Sequence, residues 1–185
     1  MAKQFPAIDS RLSDFIARQH IFFTGSAAPG GRVNVSPKPT SALRILGPNQ
    51  AVYLDQTGSS NETAAHLGQL NRLTLMFCAV EGPPQILRLF GTGRVIRRDS
   101  SDYAELLAGA FEGHEPPGAR QMILIDVDLV QTSCGFGVPL FDYKAERGSL
   151  DRWAEAKSPE ELTAYQRAKN QVSLDGFPTG LFAAE

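Results

Sequence analysis

A succession of short β-rich runs constrains the fold of this chain more than any other feature. The runs are HIFFTGSA, GRVNVSP, SALRIL, AVYLDQ, RLTLMFCAV, ILRLFGTGRVIRR and QMILIDVDLVQTS. Turn signals such as PGG, GPN and EGPP separate them, a pattern that predicts strands. The pair Gly91 and Gly93 within one long run predicts a bulge or bend in that strand. Because only two helical segments interrupt the series, at 61–70 and 102–111, we predict a mainly β fold with flanking helices, built as an antiparallel barrel.

Helical segments flank this barrel at both ends of the chain. The stretch DSRLSDFIARQ predicts a short amphipathic helix with Asp9 or Ser10 as its cap. After residue 148 the sequence becomes polar and helical, and SPEE marks a capped helix start. This tail has too little apolar surface to fold alone. We therefore expect one domain, 1–185, whose helical tail from about residue 148 packs on the barrel or on a partner subunit.

Composition limits the classes of partner and compartment. The net charge is −2, so no basic excess indicates a nucleic-acid partner. No apolar run approaches the roughly 20 residues that span a bilayer, and the N-terminus lacks the apolar core of a signal peptide. We expect a cytoplasmic protein that binds no membrane. Cys78 and Cys134 stand in apolar settings, which predicts buried free thiols, and His20, His66 and His114 show no metal-ligand spacing.

The junction AVYLDQTGSSNETAAHL is the first candidate site. A strand-like run stops near Asp55, passes through small and hydroxyl residues, and starts a helix. Free backbone N–H groups beside hydroxyl donors are suited to holding an anion. A plain helix cap is the alternative, because Ser59 and Glu62 have the spacing of a capping box. The candidate cofactor-binding residues of this junction are Asp55, Ser59, Ser60, Asn61, Glu62 and Thr63.

The run RVNVSPK is the second candidate site. Its small polar residues share one face of a strand and its valines the other, while two basic residues flank them. One interpretation makes the polar face the solvent face of an antiparallel strand. Placed in the same barrel as the junction, the run instead predicts a nucleotide-type site. The candidate cofactor-binding residues here are Arg32, Val33, Asn34, Val35, Ser36 and Lys38.

Three segments together resemble a known family. RVNVSPK, then YLDQTGSSNETAAHL, then RLTLMFCAVEGPPQILRLFGTGRV are similar in order and spacing to the FMN-binding split-barrel family related to pyridoxamine 5'-phosphate oxidase. The similarity spans about Phe15 to Val130. It implies an antiparallel, Greek-key-like split β-barrel. The chain most resembles bacterial oxidase-related members, whose tails are similar to SCGFGVPLFDY.

The resemblance implies a cofactor and an assembly. FMN would lie with its ring along Arg32 to Ser36, with Lys38 near its phosphate or pyrimidine side, and with its phosphate at the start of the following helix. A second subunit would complete each site, which implies a homodimer with cofactor sites at the interface. The chain departs from the oxidase at Asn61, Glu62 and Thr63, where the oxidase has a Ser-Arg-Lys run. Hydroxyls, amides and the helix end would therefore hold more of the phosphate.

The function that follows is an FMN-dependent oxidoreductase acting on an unidentified small organic substrate, with NADH or NADPH as the candidate electron donor. In such proteins the flavin supplies the redox chemistry and the protein supplies orientation. A flavin-binding protein without turnover remains an alternative, as does a split barrel that uses haem or the deazaflavin F420. The roles of Arg72, Arg88, Arg94 and the loop 134–139 stay open.

Overall fold

The computed structural model describes residues 2–182. The strands are β1 (Lys3–Phe5), β2 (Ile21–Ser26), β3 (Asn34–Pro39), β4 (Leu43–Gly47), β5 (Gln50–Gln56), β6 (Arg72–Cys78), β7 (Gln85–Arg97) and β8 (Ala119–Cys134). The helices are α1 (Ser10–Ala17), α2 (Glu62–Gln69), α3 (Ser101–Ala110), α4 (Ser149–Glu155) and α5 (Pro159–Lys169). A 3₁₀ turn over Thr40–Ala42 joins β3 to β4. The predicted mainly β fold with flanking helices is confirmed.

All strands belong to one antiparallel sheet that curves around the core. Its order is β3-β2-β6-β7-β8-β5-β4, and β1 adds to β8. The long strands β7 and β8 form its centre, and β3 and β4 are its edges. The register of β7 against β8 shifts between Phe90 and Gly91. A Cβ at Gly91 would lie 2.0 Å from the Asp126 carbonyl oxygen, so this bulge, as the sequence predicts, requires glycine.

Two apolar clusters lie on opposite faces of the sheet, because alternate residues of β5 and β8 belong to different clusters. The larger contains the aromatic side chains of Phe22, Tyr53 and Phe77, which contact one another. Helix α1 closes this cluster with its apolar face, and the Asp9 carboxylate caps the helix by accepting the Leu12 N–H at 2.8 Å. The smaller cluster lies under α3. Burial of these side chains, at about 1.5–3 kcal/mol for each large apolar group, holds the sheet in its curved form.

The C-terminal tail lies against the junction between β5 and α2. Gln166 of α5 donates to the Thr57 hydroxyl at 2.7 Å, and Asn170 donates to the Gly58 carbonyl at 3.0 Å. Residues 171–179 then form a hairpin closed by a bridge between Val172 and Pro178. The tail therefore fixes the loop that the sequence identifies as a candidate site.

Other sequence-based expectations have mixed outcomes. Cys78 is half-buried, but Cys134 is exposed at the end of β8, so the prediction of two buried thiols is wrong. The apolar residues around Cys134 belong to a strand end that extends beyond the closed core. Among residues 2–182 no helix has the length and apolarity needed to cross a membrane.

Candidate functional site

The two candidate stretches come together around one cavity of about 270 Å³. Strand β3 forms one wall and the β5–α2 junction forms another. Eight of the predicted residues line it, namely Ser36, Lys38, Asp55, Ser59, Ser60, Asn61, Glu62 and Thr63. Four predicted residues, Arg32, Val33, Asn34 and Val35, lie outside this wall. The fold thus joins segments that are about 20 residues apart in sequence.

Asp55 is the centre of a buried ion cluster beside this cavity. It is 3% exposed, and its Oδ1 accepts a hydrogen bond from Lys38 Nζ at 2.6 Å. Its Oδ2 accepts from Arg120 Nε at 2.8 Å. Burial alone would raise the pKa of Asp55, but Lys38 and Arg120 outweigh it and hold the pKa far below its ordinary range. One ionised carboxylate therefore lies between two cations, and Glu62 adds a second carboxylate to the cavity wall, so its charged side chains balance in number.

Arg120 is the residue that sequence reasoning missed. The register between β5 and β8 pairs Asp55 with Gln121 and Gln56 with Ala119, so Arg120 has no partner across the ladder. In a regular strand, neighbouring side chains point to opposite faces. The bulge instead lets both Arg120 and Gln121 donate to Asp55 Oδ2, at 2.8 and 2.9 Å. Nothing in the sequence around Arg120 marks this bulge, and its partner is 65 residues away.

Arg120 and the C-terminal tail donate hydrogen bonds to carbonyl groups of the junction loop. The Ser60 carbonyl accepts from Arg120 Nη1 at 2.9 Å, while the Gly58 carbonyl accepts from Asn170. Arg120 Nη2 makes no hydrogen bond to a residue that the structure describes. The Ser59 and Ser60 side chains are exposed and make none either within residues 2–182. Donors rather than acceptors therefore remain available at the cavity.

The capping box predicted for Ser59 and Glu62 is wrong. Asn61 is the N-cap of α2, and no side chain caps it. The Glu62 carboxylate lines the cavity and accepts the Leu174 N–H of the tail hairpin at 3.0 Å rather than a cap N–H. The first N–H groups of a helix have no intrahelical acceptor, so those of α2 are left for a ligand or solvent.

Two buried amides beside Asp55 are only partly satisfied. Gln121 donates to Asn61 Oδ1 at 2.7 Å, and both residues are at most 2% exposed. Asn61 Nδ2 and Gln121 Oε1 find no hydrogen-bond partner among the described residues. An unpaired buried polar group costs about 1–3 kcal/mol. Asn61 lines the cavity, and its contact with Gln121 fixes its side chain beside Asp55.

The polar face of β3 connects to α2 through side chains. Asn34 donates to the Thr63 hydroxyl at 3.2 Å, and Ser36 donates to Asn34 Oδ1 at 3.0 Å. Ser26 on β2 lies 3.0 Å from His66 Nδ1 behind them. The polar side chains therefore face the protein, and the interpretation of this face as the solvent face of the strand is wrong.

The opposite side of β3 is an open sheet edge. Pro37 and Pro39 have no N–H, so in an antiparallel ladder they must occupy the positions that point away from β2. Val35 lies two residues before Pro37, so its N–H and C=O also point away from β2. The Val33 and Val35 side chains are 73% and 63% exposed. This edge offers backbone donors and acceptors beside an apolar surface.

Arg32 lies at the other end of this run and has its own partner. Its guanidinium forms an ion pair with the Asp175 carboxylate of the tail hairpin, and its N–H donates to Asp175 at 2.7 Å. That N–H hydrogen bond and the Arg32 charge hold the pKa of Asp175 below its ordinary range. Both predicted cations of the run are therefore ion-paired, Lys38 inside the protein and Arg32 at its surface.

The remaining candidates lie outside the cavity. Arg72 is exposed at the start of β6, Arg88 donates to the Ser133 hydroxyl at 3.3 Å, and Arg94 lies 3.7 Å from Asp102. The loop 134–139 does not line this cavity. It also does not line a larger groove that β2, β3 and residues 141–151 form beside the cavity. Within residues 2–182, no group of three or more His, Cys, Asp or Glu side chains could hold a metal ion.

Comparison with known proteins agrees with this architecture. The chain is 39% identical to the pyridoxamine 5'-phosphate oxidase family protein ustO of Aspergillus flavus, over 97% of this chain and 78% of that protein. Among solved structures it is similar to a candidate pyridoxamine 5'-phosphate oxidase of Lactobacillus delbrueckii, at 18% identity and a TM-score of 0.53 over 68% of this chain and 94% of that one. It is also similar to HupZ of group A Streptococcus, at 18% identity and a TM-score of 0.52 over 66% of this chain and 91% of that one.

The two structural similarities concern the split-barrel fold alone, because their sequence identity is low. The family model described as pyridoxamine 5'-phosphate oxidase matches residues 8–134, which contain every strand from β2 to β8 and every residue that lines the β3–α2 cavity except Leu150. Fold, sequence similarity and the matched segment therefore agree: this chain belongs to the pyridoxamine 5'-phosphate oxidase family.

Proposed function

We propose that this protein binds FMN, with the phosphate in the β3–α2 cavity, and acts as an oxidoreductase on a small organic substrate. The observation that carries the proposal is the cavity itself. It gathers the Ser59 and Ser60 hydroxyls, the open N-terminus of α2 and the Arg120 guanidinium around one space. Family membership and these donors support the same cofactor.

The donor set suits a phosphate. Helix N-termini and free N–H groups favour an anion, and charge-assisted hydrogen bonds contribute about 1.5–3 kcal/mol each. The wall holds two cations, Lys38 and Arg120, and two carboxylates, Asp55 and Glu62, so directed hydrogen-bond donors rather than a net charge would hold the phosphate. The free Asn61 Nδ2 and Arg120 Nη2 are the donors that the folded chain leaves unused.

The available space suits the rest of the cofactor. The cavity of about 270 Å³ is just smaller than sites for drug-sized ligands, which hold about 300–1,000 Å³. It opens beside a larger groove and beside the open edge of β3. The Val35 N–H and C=O and the Pro37 C=O on that edge are suited to hydrogen bonds with the rim of a flat polar ring. When bound, FMN would supply hydride or electron transfer, while these groups hold and orient it.

The exposed apolar surface beside the site supports a dimer. Three apolar side chains are more than 60% exposed: Val33 just before β3, Val35 on β3 and Leu174 on the tail hairpin. Arg32 and Asp175 join these two segments. A two-fold axis would make this patch self-complementary and let each site draw on both chains. We propose a homodimer with cofactor sites at its interface, NADH or NADPH as electron donor, and neither nucleic acid nor membrane as partner.

The test compares FMN with riboflavin, which has no phosphate. Wild type is expected to prefer FMN strongly, and a Ser59→Ala/Ser60→Ala variant to lose about tenfold or more in FMN affinity, with riboflavin binding almost unchanged. Ser101→Ala is the matched control, because Ser101 is an exposed serine at the start of α3, far from the cavity in sequence. Equal losses for both ligands would contradict the phosphate site. Anaerobic bleaching of bound flavin by NADH or NADPH would separate an enzyme from a flavin carrier.

A further inference from the structure

A second, larger space adjoins the proposed FMN site. It is a groove of about 730 Å³ on the outer face of β2, β3 and β6. Residues 141–151, which we name the roof segment, cross above it. The groove and the cavity share Pro37, Lys38, Pro39, Gln56 and Leu150, so the two spaces adjoin.

The floor of the groove is apolar. It is formed by Ile21 and Phe23 of β2, the prolines of β3, and Val80 after β6. The roof segment adds Phe141 and Tyr143, and Tyr143 stacks on His20 with ring centroids 3.6 Å apart and planes at 7°. Flat aromatic side chains thus already pair within this groove.

The roof segment is anchored near both ends, and the Tyr143 ring also contacts His20 across the groove. The Phe141 N–H donates to the Val80 carbonyl, and the Tyr143 N–H donates to the Glu81 carboxylate, both at 2.9 Å. At the far end Asp151 accepts from Gln56 at 2.7 Å. Residues 141–150 are all exposed. Protein interiors are normally close-packed, so an apolar space held open between two anchors is suited to a ligand.

The charges around the groove determine what such a ligand carries. Three basic side chains line it, and three acidic side chains match them: Lys38, Lys144 and Arg147 against Asp142, Glu146 and Asp151. Lys38 is already paired with Asp55. With no net charge to complement, the groove does not select an ion. Its size and apolar floor favour a neutral ring system.

We propose that this groove binds a flat, uncharged aromatic molecule of two or three fused rings, and that this molecule is the substrate of the FMN site. The second part rests on the function proposed above, because only a bound flavin would make the neighbouring ligand a redox substrate. The binding itself does not depend on FMN.

The experiment uses 2-naphthol as the neutral probe and 2-naphthoate as its charged counterpart. Binding of each is measured by equilibrium dialysis against the purified full-length protein, with its flavin content recorded. We expect 2-naphthol to bind and 2-naphthoate to bind at least tenfold more weakly. Phe141→Ala should raise the 2-naphthol Kd by about tenfold, because the variant removes an aromatic side chain from the wall of the groove.

Phe136→Ala is the matched control. Phe136 is 83% exposed in the same connecting segment and does not line the groove, so its variant should bind 2-naphthol as wild type does. Equal binding of the two probes, or equal affinity of the two variants, would overturn the proposal. A dimer that excludes 2-naphthol would also overturn it and would assign the groove to a second copy of the chain.

The same preparation separates failure of this inference from failure of the FMN proposal. Groove binding of 2-naphthol by protein that takes up no FMN would uphold the site and reject the assigned redox role. FMN binding without any 2-naphthol binding would reject the groove and leave the phosphate cavity standing.

Discussion

The cations Lys38, near the end of β3, and Arg32, two residues before its start, lie in opposite environments. At one end the Lys38 side chain is 21% exposed and pairs with Asp55, which two further side chains also contact. At the other end the Arg32 side chain is 73% exposed and pairs with Asp175 on the tail hairpin. Exposed ion pairs contribute about 0–1 kcal/mol, whereas breaking a buried pair costs about 3–5 kcal/mol. The buried pair of Lys38 and Asp55 is therefore a fixed part of the fold, whereas the exposed Arg32 can exchange its partner.

The largest effect is expected from Asp55→Asn. The substitution keeps the side-chain shape but leaves Lys38 and Arg120 without a carboxylate, so we expect a loss of about 3–5 kcal/mol in the free energy of unfolding. Urea unfolding followed by circular dichroism measures it. Asp126→Asn is the control, because Asp126 is exposed and accepts only from Gln50. Equal losses in the two variants would show that the buried cluster has no special role.

The same cluster predicts a loss of stability in acid. The folded state holds the pKa of Asp55 far below its ordinary value, so the unfolded chain takes up a proton first as the pH falls. The free energy of unfolding should decrease from about pH 5 downward, with a contribution from this group of up to about 1.4 kcal/mol per pH unit. Urea titrations at pH 5, 4 and 3 measure the slope. Asp55→Asn should have a shallower slope, and an unchanged slope would contradict the assignment.

We expect the affinity for FMN to depend on Lys38 much more than on Arg32. Lys38→Met removes a positive charge from the wall of the cavity, and we expect FMN to bind about tenfold more weakly because a charge-assisted contact contributes about 1.5–3 kcal/mol. Arg32→Met removes the same charge from a residue outside that wall and should change the affinity by less than about threefold. Fluorescence titration of both variants with FMN gives the ratio of their dissociation constants. A larger loss of FMN affinity for Arg32→Met than for Lys38→Met would contradict this prediction.

The smallest effect is expected from Asp175→Asn. This change releases the Arg32 guanidinium from its surface ion pair and should alter the free energy of unfolding far less than Asp55→Asn does, because solvent screens an exposed pair. FMN affinity should rise by no more than about fivefold, because a freed cation near the site attracts the phosphate through solvent. Riboflavin affinity should not change, and an increase for riboflavin would mean that the tail hairpin itself obstructs the ring.

Local signals were enough to predict most of the fold. Alternating apolar residues and Gly- and Pro-rich turns predicted the strands, and the glycine at position 91 predicted the bulge that the structure places there. Helix α1 begins after Asp9, one of the two caps proposed for it. Each of these features depends on residues within a few positions of one another, which is why sequence patterns reveal them.

The site was predicted less completely because its chemistry depends on long-range register. Arg120 reaches Asp55 only through a bulge between β5 and β8, and no nearby residue marks that shift. The capping box failed because Leu174, 112 residues away, offers the Glu62 carboxylate a backbone donor. Arg32 had the right charge for an anion site, but its pairing with Asp175 depends on where the tail hairpin folds back.

A crystal structure of the protein grown with FMN tests the central claim most directly. The account predicts that the phosphate lies in the β3–α2 cavity, within hydrogen-bonding distance of the Ser59 or Ser60 hydroxyl and of the Arg120 guanidinium, with Lys38 still paired with Asp55. A flavin whose phosphate lies outside this cavity, or density for FMN nowhere in the crystal despite saturating cofactor, would contradict it.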